Sequence, residues 1–349
     1  MVSGVFVCGV AMVAMLLVTP SASGAEEAIP DWRTPDPESV SRDTAEIAAE
    51  RAAMTELFIH ESAAAVELQH SAVGDRQPIE WTNFIGLRFR LIPAGEFAMG
   101  SPVSEEGRKK FDWCGDETMH HVTISQPFYM AVTETTQSQW QAVMGENPSQ
   151  YAPGGTRGDE VAGLDTATFP TENVSWSDVQ KFIAALNECD GELLRKTFGE
   201  GVVYALPTEA MWEYGIRGGT TTPFGIGGML NGMQANMDGR EPYGTDEPGP
   251  IMNHPTSVAS YPPNAWGIYD GHGNVWEWCD DGWVNDLGPD AVTDPRTPTD
   301  GPLRVDRGGG FDNIPALCRA AHRGSYEQHR RSPYVGFRLV IRLPVSGTP

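Results

Sequence analysis

Hydrophobic positions fall into distinct regimes along the chain. Residues 2–18 are almost wholly apolar and uncharged, and Ser21-Ala22-Ser23-Gly24-Ala25 follows them. Small residues at that spacing are what a signal peptidase accepts, so residues 1–25 are predicted to be an export signal cleaved after about Ala25. No Lys or Arg precedes the run and its length nearly spans a bilayer, so an uncleaved anchor is the competing reading. Glu26 to Asp43 is acidic and Pro-rich, a linker composition. From Glu38 to His70 there is neither Pro nor Gly, and Ile47, Met54, Leu57, Phe58 and Val66 recur at loose threes and fours. That spacing predicts a helix with a weak apolar stripe, docked on the rest of the chain or on a partner. Residues 26–80 thus form an acidic linker and helix, and a main domain is predicted over 81–345.

In the main domain the apolar runs become short and Gly, Trp and turn residues become dense. Phe89 to Pro93 and Gly95 to Gly100 predict two short strands around a turn. His121 to Ile124 and Phe128 to Val132 predict another strand pair, interrupted at Pro127. Thr136 to Met144 reads as a helix, with Thr135 or Thr136 as N-cap and Gly145 as its stop. Asn173-Val174 is a short strand in this reading. Ser175 or Ser177 caps a second helix to about Asn187, with Val179, Phe182, Ile183 and Leu186 on one face. Tyr204-Ala205-Leu206 is a strand, and Glu209–Arg217 a third helix that ends at Gly218-Gly219. Residues 219–265 lack periodicity and predict a long ordered loop region, which needs side-chain networks, a metal or a function to order it.

Composition narrows the function. There are 24 Lys+Arg against 47 Asp+Glu, a formal net charge of −23. Such an acidic chain lacks the basic face that phosphate neutralisation requires, which excludes nucleic acid, and an anionic membrane surface is disfavoured for the same reason. The 39 Gly, 27 Pro and 10 Trp point to irregular and β structure and away from a helix bundle.

A series of runs spans residues 89–342. It includes Ile92-Pro93-Ala94-Gly95 with Met99-Gly100-Ser101, Val132-Thr133-Glu134-Thr135-Thr136, Val143-Met144-Gly145-Glu146-Asn147-Pro148-Ser149 and Pro170-Thr171-Glu172-Asn173-Val174-Ser175-Trp176. Further along come Leu206-Pro207-Thr208-Glu209-Ala210-Met211-Trp212-Glu213-Tyr214, Asn264-Ala265-Trp266-Gly267-Ile268-Tyr269-Asp270, Gly273-Asn274-Val275-Trp276-Glu277-Trp278-Cys279 and Gly336-Phe337-Arg338-Leu339. In this order the runs resemble the formylglycine-generating enzyme (sulfatase-modifying factor) family. The resemblance implies an α+β, C-type-lectin-like fold with little regular secondary structure, and does not cover residues 1–80. The family's activity is oxidation of a sulfatase cysteine to formylglycine, with copper held by two cysteines five positions apart.

Two thiolates suit Cu(I) because soft ligands prefer soft metals. Here the matching stretch, Gly308 to Arg323, holds one cysteine, and Asp312-Asn313 stands where the first would be. The resemblance therefore does not carry the copper site over. Cys318 and His322, four apart, would share a face on a helix and are the candidate reactive pair; the competing reading is structural. Similarity to bacterial relatives favours a Cys279–Cys318 disulfide, although the four cysteines Cys114, Cys189, Cys279 and Cys318 allow three pairings. An iron-dependent branch of the family is disfavoured, because residues 26–80 offer only His60 and His70. The resemblance does imply calcium, held by the side chains of Asp270 and Glu277 and the carbonyls of Gly273 and Val275, oxygens that suit a hard cation. The C-terminal arginines, among them Arg307, Arg319, Arg323 and Arg338, are expected to pair with the chain's own acids, including Glu209 and Glu213. The combined expectation is an exported, periplasmic or extracellular domain, binding or accessory in role. Its ligand would be a protein, a peptide or a glycan. The alternative is an oxidoreductase with an altered metal site.

Overall fold

Capping residues set the helices where the sequence places them. The computed structural model describes residues 78–108 and 115–344, so the export signal, the acidic linker, the 38–70 helix and Cys114 lie outside the described residues. Helix α1 (Gln137–Met144) starts at Thr136, whose hydroxyl accepts from the Gln139 N–H while the Gln139 side chain accepts from the Thr136 N–H. This reciprocal box satisfies two otherwise orphaned donors. Gly145 ends the helix in the left-handed region at φ 79°, where a Cβ would be strained. Helix α2 (Trp176–Phe198) uses the same device with Ser175 and Asp178. It runs well past Asn187, the end its periodicity suggested, and buries Leu194 and Phe198 as well as Val179, Phe182, Ile183 and Leu186. Helix α3 (Glu209–Arg217) is capped by Thr208 and stops at Gly218.

The strands are β1 (Glu80–Thr82), β2 (Arg88–Ile92), β3 (Gly95–Met99), β4 (His120–Ile124), β5 (Phe128–Ala131), β6 (Val203–Ala205), β7 (Trp276–Gly282), β8 (Val292–Thr293), β9 (Leu303–Arg307), β10 (Arg323–Glu327), β11 (Val335–Gly336) and β12 (Val340–Arg342). They form a five-stranded sheet β1-β2-β5-β12-β6, a four-stranded sheet β10-β9-β7-β11 and a three-stranded sheet β3-β4-β8. The expected local strand pairs are corrected: β2 pairs with β5 and β3 with β4, both antiparallel. Ile92 opposes Phe128 and Gly95 opposes Ile124, so the two chains change sheet together. Pro93 and Pro127 sit at that change, each without an N–H to extend a ladder. Asn173-Val174 is not a strand; Asn173 takes φ 63°, incompatible with one.

The apolar face of α2 packs on the five-stranded sheet in one cluster with Phe89, Leu91, Tyr129, Tyr204 and Ile341. Each such side chain stabilises by roughly 1.5–3 kcal/mol when fully buried. Between Gly218 and Trp276 the described chain has no helix or strand, as its lack of periodicity implied, and is held by isolated bridges and Asn side chains. Asn264, for example, donates to the carbonyls of Gly215 and Ile216 and accepts from the N–H groups of Trp266 and Ile268. Gly249 passes so close to Asn231 that a Cβ there would lie 1.7 Å from its carbonyl oxygen.

Candidate functional site

Buried arginines near the C-terminus pair with acids from distant parts of the chain. Arg323 grips Glu209 of α3 from β10, at 2.6 and 2.9 Å, and Arg307 of β9 pairs with Glu213. Arg319 holds Glu117 with both terminal nitrogens at 2.7 and 2.8 Å and also reaches Glu105. Arg338 holds Glu277 through Nε and Nη2, each at 2.6 Å. All four guanidiniums are at most 2% exposed, so these four arginines pair internally. Burial alone would raise the Glu117 carboxyl, but its bonds to His322 and Arg319 outweigh this and hold it well below the usual carboxylate range.

The glycine-rich stretch that would carry the family's cysteines is packed into this framework. Gly309 takes φ 73°, and a Cβ on it would meet the Cys318 Sγ at 2.4 Å, so the thiol lies directly beneath the glycine turn. Pro315–Leu317 forms a single 3₁₀ turn and Cys318 to His322 is not helical, so the four-residue spacing does not place Cys318 and His322 on one helix face. Cys318 points among Phe224, Leu230 and Tyr243. His322 instead approaches Glu117 at 3.7 Å and packs on Trp276. Burial pushes the Cys318 thiol far up, which removes its nucleophilic form at neutral pH. Cys279 is also fully buried, in a separate cluster with Ile92, Val305 and Val340. Both thiols are free, which overturns the expected Cys279–Cys318 disulfide. Strand β7 and the 3₁₀ turn aim the two side chains into different parts of the core.

The turn before β7 bends through three left-handed residues: Asp270 (φ 54°), Gly273 (φ 81°) and Asn274 (φ 61°). A Cβ at Gly273 would lie 2.1 Å from the Asn236 carbonyl oxygen. His272 accepts from the Gly225 N–H through Nε2 and donates from Nδ1 to the Cys318 carbonyl; burial lowers it to about 4, so it is a neutral brace. The Glu277 carboxylate takes Arg338 on both oxygens and the Trp212 indole N–H on Oε2. Asp270 accepts the Ala259 N–H, and burial raises it to about 6. Beside them sits Glu134, fully buried, with no donor on either oxygen and raised by burial and by its Asp270 and Glu277 neighbours. Sequence reasoning missed Glu134 as a site residue. Its one signal is a lone acid within Thr133-Glu134-Thr135-Thr136, just before a helix cap.

A cleft of about 410 Å³ opens on the outer side of the 308–323 segment, lined by Glu106, Arg108, Glu241, Tyr243, Ile314 and Ala316. Arg108 is tied to Ser101 and Asp116, and the Tyr243 hydroxyl donates to the Glu106 carbonyl, so the walls are fixed by their own bonds.

Comparison with known proteins agrees with this architecture. The formylglycine-generating enzyme of Bos taurus is 28% identical over 297 residues, covering 73% of this chain and 75% of its own. That of Streptomyces coelicolor is 28% identical, covering 71% of this chain and 87% of its own. A protein of Paenibacillus barcinonensis named chaperone protein LppX is 29% identical, covering 63% and 81%. Among solved structures, PvdO from Pseudomonas aeruginosa superposes with a TM-score of 0.58 at 26% identity, over 76% of this chain and 98% of that one. Treponema denticola variable protein 1 gives 0.59 at 24% identity, over 76% and 100%, and shares the fold. The family model described as a sulfatase-modifying factor enzyme 1-like domain matches residues 87–343, more than half of the chain. The α+β domain built around these buried Arg–Glu pairs belongs to the sulfatase-modifying factor (formylglycine-generating enzyme) family.

Proposed function

We propose that this is an exported family member without copper–thiolate chemistry, acting as a binding or accessory domain. The observation that carries the reading is the Cys318 thiol, fully buried beneath Gly309 and held protonated by burial. Among the described residues the other buried thiol, Cys279, belongs to a different cluster, so these residues do not fit a two-thiolate Cu(I) site. The apolar run over residues 2–18 supports export, and among the described residues no helix is long and apolar enough to cross a membrane. The relative named a chaperone is in keeping with an accessory role. The cleft beside Ile314 and Ala316 is the proposed place for a protein, peptide or glycan ligand.

Calcium is proposed on the Asp270–Glu277 turn. Among the described residues no three His, Cys, Asp or Glu side chains form a metal cage by themselves. A hard cation would therefore draw on backbone carbonyls, those of Gly273 and Val275, as well as on carboxylates. The carboxyl oxygens buried around Asp270, whose ionised forms burial penalises in the absence of a cation, fit such an ion in donor type. The test is direct: measure copper, iron and calcium in the purified protein, and follow oxygen uptake with a cysteine-containing sulfatase peptide. The expected result is calcium, no stoichiometric copper and no uptake. Peptide-dependent oxygen consumption would instead establish the oxidoreductase reading, with Cys318 and His322 at an altered metal site.

A further inference from the structure

Helix α2 carries an apolar row along one flank: Phe182, Leu186, Cys189 and Leu193, spaced by four, three and four residues. Alternating threes and fours are the spacing by which one helix seats against another. The row is covered over only part of its length. Phe182 and Leu186 are fully buried, and the Trp140 ring of α1 stacks on Phe182 with centroids 5.0 Å apart and planes 6° from parallel. Helix α1 is eight residues long and ends at Met144. Further along, Cys189 is exposed and Leu193 is 48% exposed, on a helix that buries Val179, Ile183, Leu194 and Phe198.

The chain enters the domain beside this open half. The Pro78 carbonyl accepts the Tyr129 hydroxyl at 2.5 Å, and the Tyr129 ring lies 4.8 Å from that of Phe198. Trp81 of β1 meets Phe198 edge-on at 5.5 Å. Phe198 is the last residue of α2, so the entry point is pinned to the end of the helix whose final turns are uncovered. From Phe198 back to Cys189 is about 14 Å along the helix axis. Upstream, the stretch Glu38 to His70 lacks Pro and Gly and repeats Ile47, Met54, Leu57, Phe58 and Val66 at the spacing that predicts an apolar helix stripe. Residues 71–77 join it to Pro78, and a link of that length reaches about 25 Å when extended. The link is therefore long enough to bring the stripe over Leu193 and Cys189.

We infer that residues 45–68 are the covering helix for the open half of α2, seating their apolar stripe on Cys189 and Leu193 as α1 seats Trp140 on Phe182. The occupant is a segment of the same chain and not a second copy, because a short link holds it beside the row at a high effective concentration. The apolar row of α2 is then covered from end to end by two short partners, one on each side of the middle of the helix.

The test uses the mature chain from Glu26 onward and two variants, Leu57→Asp with Phe58→Asp on the segment, and Leu193→Asp on α2. Alkylation of each cysteine by N-ethylmaleimide under native conditions is read by mass spectrometry, with hydrogen exchange of residues 45–68 as the second readout. Cys189 is expected to react at least tenfold more slowly in wild type than in the Leu57/Phe58 double variant. Residues 45–68 should exchange at least tenfold faster in Leu193→Asp than in wild type. Cys279 and Cys318 should stay unreactive throughout, which shows that the domain remains folded. Equal Cys189 rates in wild type and the double variant would overturn the inference. Protection of 45–68 that survives Leu193→Asp would place the segment elsewhere and overturn it too. Slowing of Cys189 that grows with protein concentration would show that a second copy covers the row, the third result against it.

Discussion

Arg338 meets Glu277 through two nitrogens, Nε on Oε2 and Nη2 on Oε1, each at 2.6 Å, with both side chains essentially inaccessible to water. Glu277 lies on β7 and Arg338 in the link between β11 and β12, and the same guanidinium donates to the carbonyls of Tyr269 and Asp270, which anchors the Asp270 turn.

Replacing Arg338 with Met would leave Glu277 buried and uncompensated. Breaking a buried pair from one side costs about 3–5 kcal/mol. Urea denaturation should show a loss of that size, and a midpoint equal to wild type would contradict the pairing argument.

The stability contributed by two buried carboxyls should fall as pH rises from the ordinary carboxylate range to about 8. Asp306 and Glu172 are pushed up to about 8 by burial, and Asp306 has no donor on either oxygen. Their folded pKa values lie above the unfolded ones, so the folded state holds more protons between the two. Their contribution is therefore complete below the ordinary carboxylate range and is lost as pH rises through about 8. Asp306→Asn should be more stable than wild type at pH above about 8, and the advantage should shrink towards acid. Denaturation curves across that range that stay parallel for the two proteins would refute this.

Cys279 and Cys318 should both be alkylated only after unfolding, since each is a buried, protonated thiol. Labelling with iodoacetamide before and after denaturant, read by mass spectrometry, tests it. A Cys279–Cys318 cross-link in non-reduced peptides would show the packing to be otherwise.

Gly249→Ala places a Cβ 1.7 Å from the Asn231 carbonyl oxygen. Since the neighbour is backbone, relief requires the loop itself to move, at a cost of about 1–3 kcal/mol or more. Thermal melting should register the loss, while Gly301→Ala, with no atom within 4 Å and no left-handed backbone, serves as the control for an open position.

Helix ends and strand positions were readable because caps and short apolar runs are local signals. Thr136, Ser175 and Thr208 each cap the helix that follows them. The end of α2 was not readable: the polar stretch Asn187 to Glu192 contains Gly191, yet Leu194 and Phe198 bury against the sheet and carry the helix onward. Which strand pairs with which was also hidden, since β2 and β5 are joined by contacts between residues far apart in sequence. The internal fate of the arginines was expected from the abundance of acids. The isolation of Glu134 was not, because an orphaned carboxylate is a property of its surroundings in three dimensions and leaves only a faint mark in sequence.

Strand β12 lies between β5 and β6, at the interior of the five-stranded sheet. During synthesis the first strands of that sheet emerge long before residue 340, and until β12 arrives β5 and β6 have no common partner. The sheet cannot close as the chain is made. A chain built this way completes its central sheet only after its C-terminal strand has been made.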